Sequence, residues 1–140
     1  LPLHCDTWSG DSPFEVVLWI PLVDCYDTKS MYLLSPEESK KLYESFDEYM
    51  ALDSEVLYGK IKEKLKFITV KYGQLLIFNQ GIPHGNRINE TNDTRWSMNC
   101  RFKSIFSPYG DKKLGEFFEP INLKAASKIG MDYFHPKTEK

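Results

Sequence analysis

The sequence predicts a mainly β protein, an antiparallel jelly roll or double-stranded β-helix with a helical insertion over residues 36–66. Three observations point there. Short apolar, β-branched and aromatic runs recur along the chain, bounded by Gly, Pro and Asp. A single capping box opens the one helical stretch. The 140 residues, 41% hydrophobic and 14% aromatic, suffice for one ordinary core and offer no linker between two. One domain, 1–140, is therefore expected, with an α+β sandwich as the structural alternative.

Glu15 to Leu22 (EVVLWIPL) lies between Ser12-Pro13 and Asp24 and suits a strand buried on both faces. Met31 to Leu34 (MYLL) reads as its partner, after a turn at Asp27 to Ser30. Ser35-Pro36-Glu37-Glu38 is a capping box: the Ser35 hydroxyl can accept from the Glu38 N–H, and Pro36 fits the first helical position. Leu42, Phe46, Tyr49 and Met50 then follow a helical period that Leu57, Ile61 and Leu65 repeat, a packing stripe without functional meaning. Strand signals return at Phe67 to Tyr72, at Leu75 to Phe78 after Gly73, and at Thr94 to Phe106. Ser107 to Gly110 reads as a turn, and Asn122 to Ile129 as a short helix stopped by Gly130.

Composition narrows the function. A net charge of -2 with scattered basic residues gives no stripe for a nucleic acid. No apolar run is long enough for a bilayer and the opening residues lack the form of a signal peptide, so a soluble, cytoplasmic protein is expected. Three well-separated cysteines, Cys5, Cys25 and Cys100, suggest reduced thiols rather than a disulfide framework or a zinc site. The chain opens on Leu1, three residues before its first histidine, which suggests the C-terminal part of a longer protein with an upstream N-terminal region.

The chemistry concentrates in three places. His4-Cys5-Asp6 sets two ligand-type side chains at i and i+2, on the same side of an extended backbone. His84, in Gly81-Ile82-Pro83-His84-Gly85, follows the run LLIF, where a barrel side chain can face inward. Two imidazoles and a carboxylate form a facial triad that leaves three cis positions open on an octahedral Fe(II): two for a chelating co-substrate and one for O2. A closed structural zinc site would use all its positions. Arg95, eleven residues beyond His84, shares a strand face with Ser97, and its planar guanidinium matches a carboxylate in a two-point fork. His135, in the tail, reads as structural or solvated.

Together, HxD, a downstream His and Arg-x-Ser resemble the signature of Fe(II)/2-oxoglutarate-dependent oxygenases, in particular the phytanoyl-CoA hydroxylase-like group, over most of residues 1–106. Trp19, the run Gly73-Gln74-Leu75-Leu76-Ile77-Phe78 and His84-Gly85-Asn86 add to the likeness. The resemblance implies a cupin-like barrel with Fe(II) on His4, Asp6 and His84, and with 2-oxoglutarate and O2 as co-substrates. It implies further that Trp19 packs on 2-oxoglutarate, that Asn86 or Ser97 hydrogen-bonds its distal carboxylate, and that Arg95 forms the salt bridge. Trp19 also suits plain core packing. Related halogenases replace the carboxylate with a small residue; Asp6 argues against that activity. The helices and first barrel strand that precede HxD in the family are absent from this chain.

The substrate is expected to be small. Asn99 and Arg101 continue the face of Arg95 and Ser97, while Trp8 and Asp11 follow the metal motif directly, so a polar, hydroxylated or anionic molecule would suit them. HCDTWSGDSPFEVVLWIPLVDC also resembles a subgroup associated with bacterial carbohydrate and aminoglycoside-type biosynthesis, which implies a sugar or cyclitol. Two rival functions remain: a cupin-like metal enzyme that does not use 2-oxoglutarate, and a non-catalytic metabolite-binding barrel.

Overall fold

β1 (Val16–Pro21) is the centre of the first of two antiparallel sheets. In the computed structural model, which describes residues 1–121 and residue 129, it pairs on one side with β4 (Leu76–Asn79) and on the other with β6 (Ser97–Phe102). The second sheet has β2 (Tyr32–Leu33) between β3 (Lys66–Phe67) and β5 (His84–Gly85). Beyond β5 lies His4, in an antiparallel bridge with His84. The expected helix over 122–129 falls, except for Ile129, outside the described residues, as does His135. No described helix is long and apolar enough to cross a membrane.

Four sequence expectations need correction. MYLL does not pair with β1; β2 lies in the other sheet, because alternating residues of this short strand serve different layers. Tyr32 and Leu34 join one core cluster, whereas Met31 and Leu33 join another. Nor is β1 buried on both faces: Val17, Trp19 and Pro21 point inward, while Val16 is 41% exposed. Its cross-strand neighbours Ile77 and Phe102 are exposed as well, so this sheet presents an apolar outer face to solvent. FITVKY contributes only Lys66–Phe67 plus a bridge from Val70 to Cys25, and the turn expected at Ser107 to Gly110 falls earlier, closed by Ser107 N–H on the Ser104 carbonyl.

The insertion is three short helices, α1 (Pro36–Glu44), α2 (Phe46–Tyr49) and α3 (Ser54–Ile61), rather than one. Ser35 caps α1 by accepting from Glu38 N–H at 3.2 Å, and Asp53 caps α3 by accepting from Glu55 N–H at 2.8 Å. These helices bury Leu42, Leu57 and Ile61 against Leu3, Tyr32 and Leu34. A second cluster, Val17, Trp19, Met31, Val70 and Phe78, fills the space between the sheets. Each such side chain contributes roughly 1.5–3 kcal/mol of burial. The described residues are thus layered as helices, sheet and sheet, with an apolar outer face that none of them covers and the site at one edge of the inter-sheet layer.

Candidate metal centre and its cavity

β5 brings the two histidines together. His4 N–H donates to the His84 carbonyl, and His84 N–H donates to that of His4, both at 2.9 Å. The ring centroids lie 4.4 Å apart. Each ring is oriented in the same way: His4 Nδ1 is 2.8 Å from the Pro2 carbonyl and His84 Nδ1 is 2.8 Å from the Ile82 carbonyl. Those acceptors assign the proton to Nδ1 and leave the Nε2 lone pair free for a metal. Phe78 meets the His84 ring edge-on at 4.9 Å and fixes its tilt.

Asp6 completes the group. Its Oδ1 is 3.7 Å from His4 Nε2 and 4.0 Å from His84 Nε2, and the three residues form a candidate metal-binding cluster. Donors in cis positions on one ion, with bonds of about 2.1 Å, sit about 3 Å apart. The two carboxylate–imidazole gaps need to close by roughly 1 Å or less, and all three donor atoms lie within 4.8 Å of one another, so the residues fit a divalent cation. Burial pushes the His84 imidazole below its ordinary value, with His4 and Arg101 adding to that and the Ile82 hydrogen bond and Asp6 opposing it. A neutral imidazole is the form that ligates.

The intervening Cys5 faces the other way and is fully buried. Burial drives its thiol up to about 12, against a hydrogen bond from Tyr43 and with help from Asp6. Tyr43 Oη lies 3.2 Å from Cys5 Sγ and donates to the Gly81 carbonyl at 2.7 Å, tying α1 to both metal-ligand segments. The Asp6 N–H donates to the Gln80 carbonyl at 3.1 Å. Gln80 in turn donates through Nε2 to the buried carboxylate of Glu15 at 2.9 Å. These supports were not legible in the sequence; a Glu and a Gln inside apolar runs were the only signal.

A cavity of about 230 Å³ opens over the triad. The expected residues His4, Asp6, His84, Trp19, Asn86, Arg95, Ser97, Asn99 and Arg101 all line it. They meet because β6 stands opposite β1 with Asn99 across from Trp19 and Arg101 across from Val17, on the inward face. Met31, read from the sequence only as a strand residue, also contributes. Arg95 donates long hydrogen bonds of 3.4 Å to the Ser30 carbonyl and to Asn86 Oδ1, and pairs with no carboxylate among the described residues. Arg101 Nη2 lies 3.3 Å from Asp6 Oδ1.

Trp8 and Asp11 do not join this cavity. The chain enters a 3-10 turn at Asp6–Ser9 and reverses at Gly10, whose φ of +86° favours glycine. Trp8 is carried to α2, where it packs on Phe46 at 5.7 Å. Asp11 is buried with its carboxylate 2.6 Å from Lys112 Nζ. No protein-family model matches the chain, and no curated protein matches it either.

Proposed function

We propose that this chain is the catalytic core of a non-haem Fe(II)- and 2-oxoglutarate-dependent oxygenase acting on a C–H bond of a small polar substrate. The observation that carries the proposal is the shared cavity: two imidazoles and one carboxylate at one end, and beside them an arginine that pairs with no carboxylate among the described residues. Bound there, the iron would supply the redox chemistry, coupling oxidative decarboxylation of 2-oxoglutarate by O2, with release of succinate and CO2, to oxidation of the substrate.

The chain's own residues do the positioning. His4, Asp6 and His84 hold the ion through one face and leave the other for ligands. Arg95 supplies a two-point fork for the distal carboxylate, with Asn86 already beside it at 3.4 Å and Ser97 on the same cavity wall. Trp19 and Met31 make the apolar wall against which a flat keto acid can lie, and they exclude water from it. The sugar or cyclitol implied by resemblance is compatible with the polar Asn99.

The strand order supports a jelly roll. With the His4 segment taken as a strand beside β5, the two sheets read β4-β1-β6 and β3-β2-β5-His4. That order is compatible with an eight-stranded double sheet, in which one further strand would lie beyond β6. The test is succinate formation from 2-oxoglutarate by the Fe(II)-loaded protein. It is expected in the parent chain and absent in His84→Ala; an equal rate in both would overturn the proposal.

A further inference from the structure

Arg101 stands between two cavities. One holds the triad; the other, about 550 Å³, is walled by Arg101, Lys103, Ile105, Leu114, Phe117 and Phe118. The second is aromatic and apolar apart from its two cations and one exposed carboxylate, Glu119. Lys103 is already engaged: its ammonium donates to the Pro108 carbonyl at 2.6 Å and lies 3.4 Å above the Tyr109 ring. Arg101 is not. Its contact with Asp6 is an ion pair, its Nε is buried without an acceptor, and its guanidinium packs at 5.9 Å from the Phe117 ring. A guanidinium carries five donors, so most of its hydrogen-bonding capacity is unmet among the described residues.

Charge points the same way. Asp6 is the sole carboxylate among the residues lining the triad cavity, against the guanidiniums of Arg95 and Arg101. A divalent ion raises the positive charge by two and a dicarboxylate co-substrate removes two. Among the residues lining that cavity one positive charge then remains unmatched, and an unmatched charge that is partly desolvated is costly. With the Asp6 carboxylate turned to the ion, the half-buried Arg101 would carry it, next to a metal ligand and facing an aromatic chamber.

We propose that the substrate is an organic monoanion with an apolar or aromatic body. Its carboxylate takes donors of Arg101, and its body rests against Phe117, Phe118 and Leu114. This deepens the oxygenase proposal by naming a substrate class, and rests on it for the identity of the metal centre. The binding chemistry belongs to Arg101 and its chamber.

A matched pair of probes tests it: phenylacetate and its neutral isostere phenylacetamide, titrated by calorimetry into the full chain with saturating Mn(II) and 2-oxoglutarate. The parent chain is expected to prefer the carboxylate by about tenfold. In Arg101→Gln and Arg101→Ala the preference falls to near unity, and Arg101→Lys keeps part of it. Equal affinity for the two probes, no binding of either, or a preference that survives both Arg101 variants would overturn the proposal. Loss of 2-oxoglutarate binding with the Arg101-dependent preference intact would count against the keto-acid assignment alone.

Discussion

Gly85 holds the N-terminal segment in place by having no side chain. A Cβ built there would come within 2.7 Å of the Pro2 carbonyl oxygen and would land on the Tyr32 hydroxyl. Restoring an ordinary C···O separation of about 3.3 Å requires Pro2 to retreat by about 0.6 Å. Pro2 cannot retreat alone, because its carbonyl orients His4 Nδ1 at 2.8 Å. Gly85→Ala is therefore expected to destabilise the fold by about 1–3 kcal/mol through overpacking. It should also weaken Fe(II) binding by about tenfold to a hundredfold, because the carbonyl that orients a ligand has moved. Urea denaturation and an anaerobic Fe(II) competition titration read the two effects. Adding Tyr32→Phe removes one obstacle but leaves the Pro2 carbonyl, so the double variant should regain part of the stability and little of the affinity. Unchanged metal affinity in Gly85→Ala, or full recovery of affinity in the double variant, would refute the reasoning.

Two further predictions follow from the fold itself. The outer face of β4-β1-β6 exposes Ile77 at 62% and Met98 at 48%, so Ile77→Lys should lower binding of a hydrophobic dye while shifting Tm by only a few degrees; an unchanged dye signal would mean the face is covered in solution. The Cys5 thiol, raised by burial from 9.0 to about 12, ionises first in the unfolded chain. Its contribution to stability is full below pH 9 and is lost as pH rises towards 12, by about 1.4 kcal/mol per pH unit. Tyr32, raised from 10.0 to about 12 mainly by burial, adds to this above pH 10. Denaturation midpoints measured from pH 8 to 11 should fall accordingly, and more shallowly in Cys5→Ala; a flat profile in the parent chain would contradict the assignment.

The candidate metal cluster and the placement of Arg95 beside it were legible because they depend on residue type and short spacing: i and i+2 on extended backbone put His4 and Asp6 on one side, with Cys5 turned into the core. The strand period likewise carried Arg95, Ser97, Asn99 and Arg101 to a common wall. Adjacency in sequence was a poorer guide. Trp8 and Asp11 follow Asp6 directly, yet the turn at Gly10 sends one to the helices and the other to Lys112. Strand partners were not legible either. MYLL is apolar throughout, which shows that both of its faces are covered but not by which strands, and β2 takes β3 and β5. EVVLWIPL has the composition of a strand covered on both faces, and among the described residues only one face is. The supports from Pro2, Ile82 and Gln80 act through backbone carbonyls, which every residue type possesses.

We propose that Arg95 and the triad bind one keto acid together. An anaerobic titration of 2-oxoglutarate into the Fe(II)-loaded chain and its Arg95→Ala variant, followed through the weak visible charge-transfer band of keto-acid chelation, tests it most directly. A saturable band is expected in the parent chain, with a clearly weaker apparent affinity in the variant. Iron binding with no band in either protein would contradict it.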